Sequence, residues 1–491
     1  MADCVLSIDQ GTTSSRTLVV GADGAVLHSA QEEFAQHYPH DGWVEHDPAD
    51  IRGTVLRTLE NCRTWCADNG HEPRAIGITN QRETTLVWDR ETGEPLYNAI
   101  VWQDRRTAET CRELAARMPE SELHAKTGLL HDPYFSATKI AWILDHVDGA
   151  RARAEAGELC FGTVDSFLVW TLTDGAVHAT DATNASRTNL YNIRKGAWDD
   201  DLLALFGVPR AGLPDVRDCA GEFGAWRGIP IRGVAGDQQA AAIGQFCLSP
   251  GDIKSTYGTG CFVLLNTGPE APTSANRLLA TVACQLDGRR TYALEGSIFI
   301  AGAGVQWLRD EMHLVEHAAD TEAICEALES NGGVYVVPAF TGLGAPHWEP
   351  EARGAVFGLT RGAGREHVVR ATVEAVVYQT HDLLEAMARD GVAPESLRVD
   401  GGMVANSWMV QHLADVLDLP VERPAVLETT AMGAAFLAMV GAGLADSLED
   451  LRPLWRRDRR FTPAMSADHR NTLLEGWDAC VKRLLRPRAG G

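Results

Sequence analysis

Lysine is scarce in this chain: only Lys126, Lys139, Lys195, Lys254 and Lys482 occur, five of the 44 basic residues in a sequence of 491. Neither of its glycine-rich turns reads G-x-x-x-x-G-K-[ST], so a P-loop lysine is excluded and any phosphate site is expected to work without one. Paired or metal-binding cysteine is missing as well. The eleven cysteines are scattered, the close pair Cys62 and Cys66 has helical spacing, and no C-x-x-C unit or zinc-type histidine array occurs. That excludes a disulfide framework and a zinc fold, and points to a reduced, cytoplasmic enzyme. His37, His40 and His46 fall among Pro, Gly and Asp and read as surface histidines of a loop. No run reaches the roughly 20 apolar residues of a membrane helix, and no basic-then-apolar leader precedes the first strand. Positive charge is in deficit too: 44 basic against 67 acidic residues leave −23, which argues against nucleic acid or an anionic membrane as partner.

What is present is ordinary core material, 45% hydrophobic and 23% charged residues, in a chain too long for one core. Two large lobes fit that length, with a boundary near 247–251. Strands are expected over 5–8, 18–20 and 25–28, an opening meander, and again over 75–79 and 86–88, followed by helices over 108–117 and 136–146. The same grammar restarts after Gly251, with strands over 254–257, 262–266 and 279–283 and a helix over 304–312. A strand over 334–338, a long helix over 366–389 and a strand over 397–399 follow. The alternation means α/β.

Two turns carry the chemistry. The first strand ends in Asp9-Gln10-Gly11-Thr12-Thr13-Ser14-Ser15-Arg16, and the second half repeats the theme in Ser255-Thr256-Tyr257-Gly258-Thr259-Gly260. An acid at a strand end followed by glycine and hydroxyl residues offers backbone N–H groups, O–H donors and one carboxylate, which are the parts of a magnesium triphosphate site. Arg16 is the natural cation beside the first turn. A third unit, Asp400-Gly401-Gly402-Met403 with Asn406 just beyond, would let backbone approach an adenosine while an amide hydrogen-bonds it. The ordinary alternative is a helix start whose turn needs glycine.

The motifs Asp9 to Arg16, Gly77-Ile78-Thr79-Asn80-Gln81-Arg82-Glu83-Thr84-Thr85, Asn98-Ala99-Ile100-Val101-Trp102-Gln103, Asp132-Pro133-Tyr134-Phe135-Ser136, Gly236-Asp237-Gln238-Gln239-Ala240-Ala241 and Asp400-Gly401-Gly402 together resemble the FGGY carbohydrate kinase family. The likeness runs from the first strand to beyond residue 460, and the stretches 134–146 and 358–374 look like the family's signatures. It implies an α/β, two-lobed, actin-like ATPase fold, related to ribonuclease H, with the active site in the interlobe cleft. Residues 1–248 would form the lobe for polyol and phosphate, and 249–491 the lobe for nucleotide. Within the family the match is to the members that phosphorylate glycerol, which implies transfer from MgATP to give sn-glycerol 3-phosphate, the first step of glycerol catabolism. By resemblance Asp237 is the base, and Asp9 and Asp237 position Mg²⁺. Thr12, Thr13, Ser14, Thr259 and Gly260 hold phosphates and Arg16 stabilises the transferring group. Gly302 and Gln306, the latter at a helix start, line the nucleotide, while Gly402 and Asn406 meet the adenosine. Arg82, Glu83, Tyr134 and Gln238 would bind the glycerol hydroxyls, with Trp102 and Phe262 as an apolar wall. Plain core for the two aromatics and a surface ion pair for Arg82 and Glu83 are the ordinary alternatives. The resemblance also suggests a homodimer or homotetramer.

The chain departs from the family in its control sites. The stretch 219–229 lacks the Gly-Gly-Thr-Arg loop through which some relatives bind fructose 1,6-bisphosphate, and also the histidine phosphorylated in others. Phe461-Thr462-Pro463-Ala464-Met465-Ser466 lacks the acid that some relatives use to share a zinc ion with a regulatory subunit. Fructose 1,6-bisphosphate added to the assay should therefore leave turnover unchanged; a measurable drop contradicts this.

Overall fold

A computed structural model describes residues 1–349 and 351–485. Its first strand, Ala2–Gln10, is the hub of a six-stranded sheet, lying between the antiparallel Ser14–Gly21 and the parallel His71–Asn80. The meander continues into Val26–Glu33, and Ile229–Gly236 adds a further parallel strand beside His71–Asn80. Both faces of the hub are covered, which is why its centre is an apolar run broken only by Ser7. Cys4, Leu6 and Ile8 pack with Ile51, Val55 and Leu59 of helix Pro48–Asp68. Val5, with Leu18 and Val20, meets Ala431 and Ala435 of helix Thr429–Gly441 on the opposite face, as the period of two in a strand requires. Ser7 on that second face donates its hydroxyl to the carbonyl of Ala431 at 2.5 Å.

The second half repeats the plan. Ile253–Tyr257 is its hub, flanked by the antiparallel Cys261–Gly268 and the parallel Leu397–Asp400, in a seven-stranded sheet. Ile253 and Tyr257 enter a core built with helix Arg365–Arg389. Each hub turns back through a tight glycine-hydroxyl loop, 11–13 in the first lobe and 258–260 in the second, so both turns stand at the carboxyl ends of hub strands, where open α/β sheets bind ligands. A small four-stranded sheet, of Glu45–His46, Ala99–Ile100, Thr85–Asp89 and Leu159–Thr163, and the helices Ala108–Arg117 and Ser136–His146 are elaborations on the first lobe.

The expected helices over 108–117 and 136–146 stand where the sequence places them, and most expected strands extend by one to several residues at their ends, whereas the strand expected over 334–338 is shorter, Tyr335–Val337, and the one expected over 25–28 begins at Val26. His46 does not fit the surface-loop expectation. It sits fully buried on a strand, against Phe34 and 3.4 Å from the Gln81 amide nitrogen, and burial pushes its imidazole down to about 4. Pro48 and Asp47 open a helix immediately after it, and that helix start, rather than a loop, explains the local turn chemistry.

The two halves meet along helices Asp237–Gly244 and Thr429–Gly441. They cross at backbone contact, because a Cβ on Gly433 would lie 1.8 Å from the Ala240 carbonyl oxygen and one on Gly244 would lie 2.0 Å from that of Thr429. Only hydrogen fits at either position. Gly433→Ala should therefore force the helices apart and lower stability by about 1–3 kcal/mol or more; an unchanged midpoint in urea unfolding would show that the crossing tolerates a side chain.

Candidate active site

Strand His71–Asn80 ends in Gln81-Arg82-Glu83, a turn that delivers two buried charges to the cleft. Glu83 holds φ +60, a left-handed conformation that costs a glutamate on the order of 1–3 kcal/mol and persists where surroundings enforce it. The surface ion pair allowed by the sequence is excluded, since both side chains are 2% exposed. Nor is their mutual contact the main one, at 3.9 Å between Arg82 Nε and Glu83 Oε1. Arg82 instead donates both terminal nitrogens to Glu295, at 2.5 and 2.9 Å, and Arg187 donates to Glu83 at 2.6 Å and to Glu295 at 3.0 Å. Two guanidiniums and two carboxylates thus form a buried, neutral quartet. Burial alone would raise Glu295, but Arg187 and Arg82 outweigh it and hold that carboxyl at about 2. Arg187 Nη1 is buried with no hydrogen-bond partner.

Asp237 opens helix Asp237–Gly244 at the end of strand Ile229–Gly236, and the quartet orients it: Arg82 Nε lies 3.1 Å from Asp237 Oδ1. The same oxygen accepts the Gln238 N–H at 2.7 Å. Asp9 faces it from the end of the first hub strand, opposite Arg16 in register. Burial, and then the charge of Asp237, push Asp9 up to about 6, with Arg16 opposing. Two facing carboxylates of this kind suit a hard divalent cation.

Trp102, Phe262 and Tyr134 gather into one aromatic wall, Trp102 lying 5.7 Å from Tyr134 and 6.0 Å from Phe262 between ring centroids, edge to face. All three are half-buried, not plain core, and the Trp102 indole N–H donates to Thr12 Oγ1 at 3.0 Å, tying the wall to the first turn. A lysine stands beside this wall. Lys254, fully buried on the second hub strand, donates to the carbonyl oxygen of the Gln238 side chain, to Thr256 Oγ1 at 2.9 Å and to Phe262 O at 3.4 Å. Burial lowers it, while the nearby charges of Asp400 and Asp237 favour its ammonium form.

In the two glycine-hydroxyl turns, Thr13 and Thr259 are exposed at the tips, and Thr12, Ser14 and Gly260 are half-buried beneath them. The second turn packs on the start of helix Gly302–Asp310, whose Gly302 N–H donates to Gly258 O at 2.9 Å. Gly302 opens that helix. Gln306, expected at a helix start, lies one turn further on and is exposed. Gly402 has open space where a Cβ would stand. Asn406 serves as the N-cap of helix Ser407–Leu417, accepting the Met409 N–H at 2.9 Å and donating one amide hydrogen to Thr321 at 3.2 Å, so the helix start and an open amide hydrogen coexist. Arg16 is tied to Gln31 and, across the cleft, to Glu428.

Glu295, Arg187, Lys254 and Gln239, which meets Arg82 at 3.3 Å, are site residues that sequence reasoning missed. Glu295 carried a signal, being the only charge in the run Tyr292-Ala293-Leu294-Glu295-Gly296-Ser297-Ile298-Phe299-Ile300. Among the described residues no helix is long and apolar enough to cross a membrane, and no group of three or more His, Cys, Asp and Glu could hold a metal ion.

Residues 4–244 match the N-terminal domain, and 253–442 the C-terminal domain, of the FGGY family of carbohydrate kinases. The chain is 61% identical to a glycerol kinase of Rhodospirillum centenum over 98% of both chains, and 56% identical to glycerol kinase 1 of Pseudomonas aeruginosa over 99% of both. Among solved structures it superposes on Plasmodium falciparum glycerol kinase with ADP at a TM-score of 0.93, 36% identity and 99% coverage of each chain. A xylulose kinase of Lactobacillus acidophilus, at 20% identity, 98% coverage of each and a TM-score of 0.86, shares the fold.

Glu295→Ala would leave Arg82 and Arg187 buried without their shared anion. Unfolding in urea should show a loss of about 3–5 kcal/mol, the cost of breaking a buried pair; a loss under about 1 kcal/mol, the range of exposed pairs, would show that the quartet is solvated.

Proposed function

Because the chain belongs to the FGGY family of carbohydrate kinases, in their two-lobed, actin-like α/β fold, we propose that it is an ATP-dependent glycerol kinase, moving the γ-phosphoryl group onto a terminal hydroxyl to give sn-glycerol 3-phosphate. The observation that carries this reading is Asp237 held on Arg82 beside a pocket with charged groups on one side and an aromatic wall on the other. Glycerol is polar along its hydroxyl edge and apolar along its carbons, and such a pocket matches both. The polyol set is Arg82, Glu83, Tyr134 and Gln238, with Trp102 and Phe262 against the carbons. Lys254 occupies the Gln238 carbonyl and leaves the amide hydrogens of that side chain to donate.

Asp237 orients the attacking hydroxyl and takes its proton. A carboxylate suffices, because in a loose phosphoryl transition state the proton leaves late. Asp9 and Asp237 would hold Mg²⁺, directly or through water, and the upward push on Asp9 by Asp237 fits them to that role. The ion, when bound, neutralises charge on the phosphate oxygens. Thr12, Thr13, Ser14, Thr259 and Gly260 grip phosphate oxygens, Arg16 stabilises the transferring group, and Gly302, Gln306, Gly402 and Asn406 line the rest of the nucleotide. Residues 1–248 supply the polyol and phosphate groups and 249–491 the nucleotide groups, and closure of the cleft after glycerol binds keeps water from the phosphoryl group. Unpaired cysteines throughout support a cytoplasmic setting, and the family resemblance a homodimer or homotetramer.

MgATP turnover measured with glycerol, dihydroxyacetone, erythritol and xylulose should be fastest on glycerol. Asp237→Asn should cut that turnover by about 10²–10⁴ while calorimetry still detects glycerol binding; near-normal turnover in the variant would remove Asp237 from the role of base.

A further inference from the structure

The stretch 134–146 gives Tyr134 to the aromatic wall and then a buried cation that the reaction above does not use, Lys139, 1% exposed on helix Ser136–His146. Lysine is almost never buried without partners, and the partners here are informative. Its Nζ donates to the backbone carbonyl of Glu83 at 3.2 Å and to that of Tyr134 at 2.5 Å. The Glu83 carbonyl also accepts the Ser136 hydroxyl at 3.1 Å and the Thr85 hydroxyl at 2.9 Å. Three donors on an oxygen with two lone pairs saturate it. That oxygen belongs to the residue with φ +60, so the donors hold in place a backbone that Glu83 would otherwise leave.

We propose that Lys139 is a positioning residue for polyol recognition: its ammonium ties the backbones of Glu83 and Tyr134 together and so fixes where the Glu83 carboxylate and the Tyr134 ring stand in the pocket. The inference rests on reading that pocket as the glycerol site. It differs from a mere core role in its geometry, because the acceptors that Lys139 meets are the carbonyls of two residues of the pocket and not a distant acid. The charges that face it come from each neighbouring segment: Glu83 from the turn, Asp104 after strand Ala99–Ile100, Asp132 before the helix, and the Cys111 thiol from helix Ala108–Arg117. Arg187, Arg106 and Arg105 respectively already pair with those three carboxylates. Burial therefore prevails and brings Lys139 down to about 8. A neutral amine is a weaker donor than an ammonium, so the hold on Glu83 loosens as pH rises through that value.

The test is steady-state kinetics of the full chain and of Lys139→Met, with glycerol and MgATP varied in turn from neutral to alkaline pH. The variant should raise the KM for glycerol about tenfold at neutral pH with the KM for MgATP within about twofold. The wild-type KM for glycerol should rise above about pH 8, and that rise should be missing from the variant. An unchanged KM for glycerol, or equal rises in both KM values, overturns the proposal. If Lys139→Met does not fold, Ser136→Ala removes another donor from the same carbonyl and keeps the lysine; it should raise the KM for glycerol about threefold and retain the alkaline rise, and an unchanged KM overturns the proposal. A wild-type chain without glycerol turnover would instead remove the reading of the pocket on which the inference rests.

Discussion

The cleft depends on one electrostatic constraint: Arg82, Arg187, Glu83 and Glu295 are buried together with no net charge. Any one of them alone would be expelled to water or neutralised, because desolvating an unpaired ion costs several kcal/mol. Each is therefore held by the two of opposite charge. Glu295 comes from the second sheet and the other three from the first half, with 213 residues between Arg82 and Glu295, so charge balance itself brings the halves into register. Asp237 inherits its place from this balance, through the one guanidinium nitrogen of Arg82 that Glu295 does not engage. Lys139 and Ser136 act on the same quartet from outside, through the backbone of Glu83.

The second organising fact is duplication of a hub strand. In each lobe a buried strand runs between one antiparallel and one parallel neighbour and ends in a glycine-hydroxyl turn. The antiparallel neighbour fixes the turn as tight, and the parallel neighbours bring their own carboxyl ends to the same edge: Asn80 and Gly236 in the first lobe, Asp400 in the second. Asp9 and Asp237 and the two glycine-hydroxyl turns thus collect at two facing edges.

Much of this was legible in the sequence where the signal is local. The hubs, their turns and Asp9 lie in contiguous motifs whose chemistry can be read within ten residues, whereas Asp237 and the aromatic positions came from the family resemblance. The helices over 108–117 and 136–146 follow from periodicity. What escaped was set by partners far along the chain. Arg187 sits in a polar run that resembles a surface turn, and its role exists only once Glu83 and Glu295 arrive from 104 and 108 residues away. Lys254 carries no local motif, and its partners Gln238 and Phe262 are brought to it by the fold. His46, flanked by polar residues, reads as exposed until Phe34 and Gln81 close over it.

Helix Thr429–Gly441 also bears on how the protein is made. Val5, Leu18, Val20, Ala75 and Ala235 of the first sheet find their cover in a segment translated near the end, and the bond from Ser7 to Ala431 spans 424 residues. A nascent chain paused on the ribosome before that helix emerges carries an almost complete sheet with one greasy face bare. Until that helix arrives the exposed face is prone to aggregation, so a product truncated before it keeps an apolar face bare.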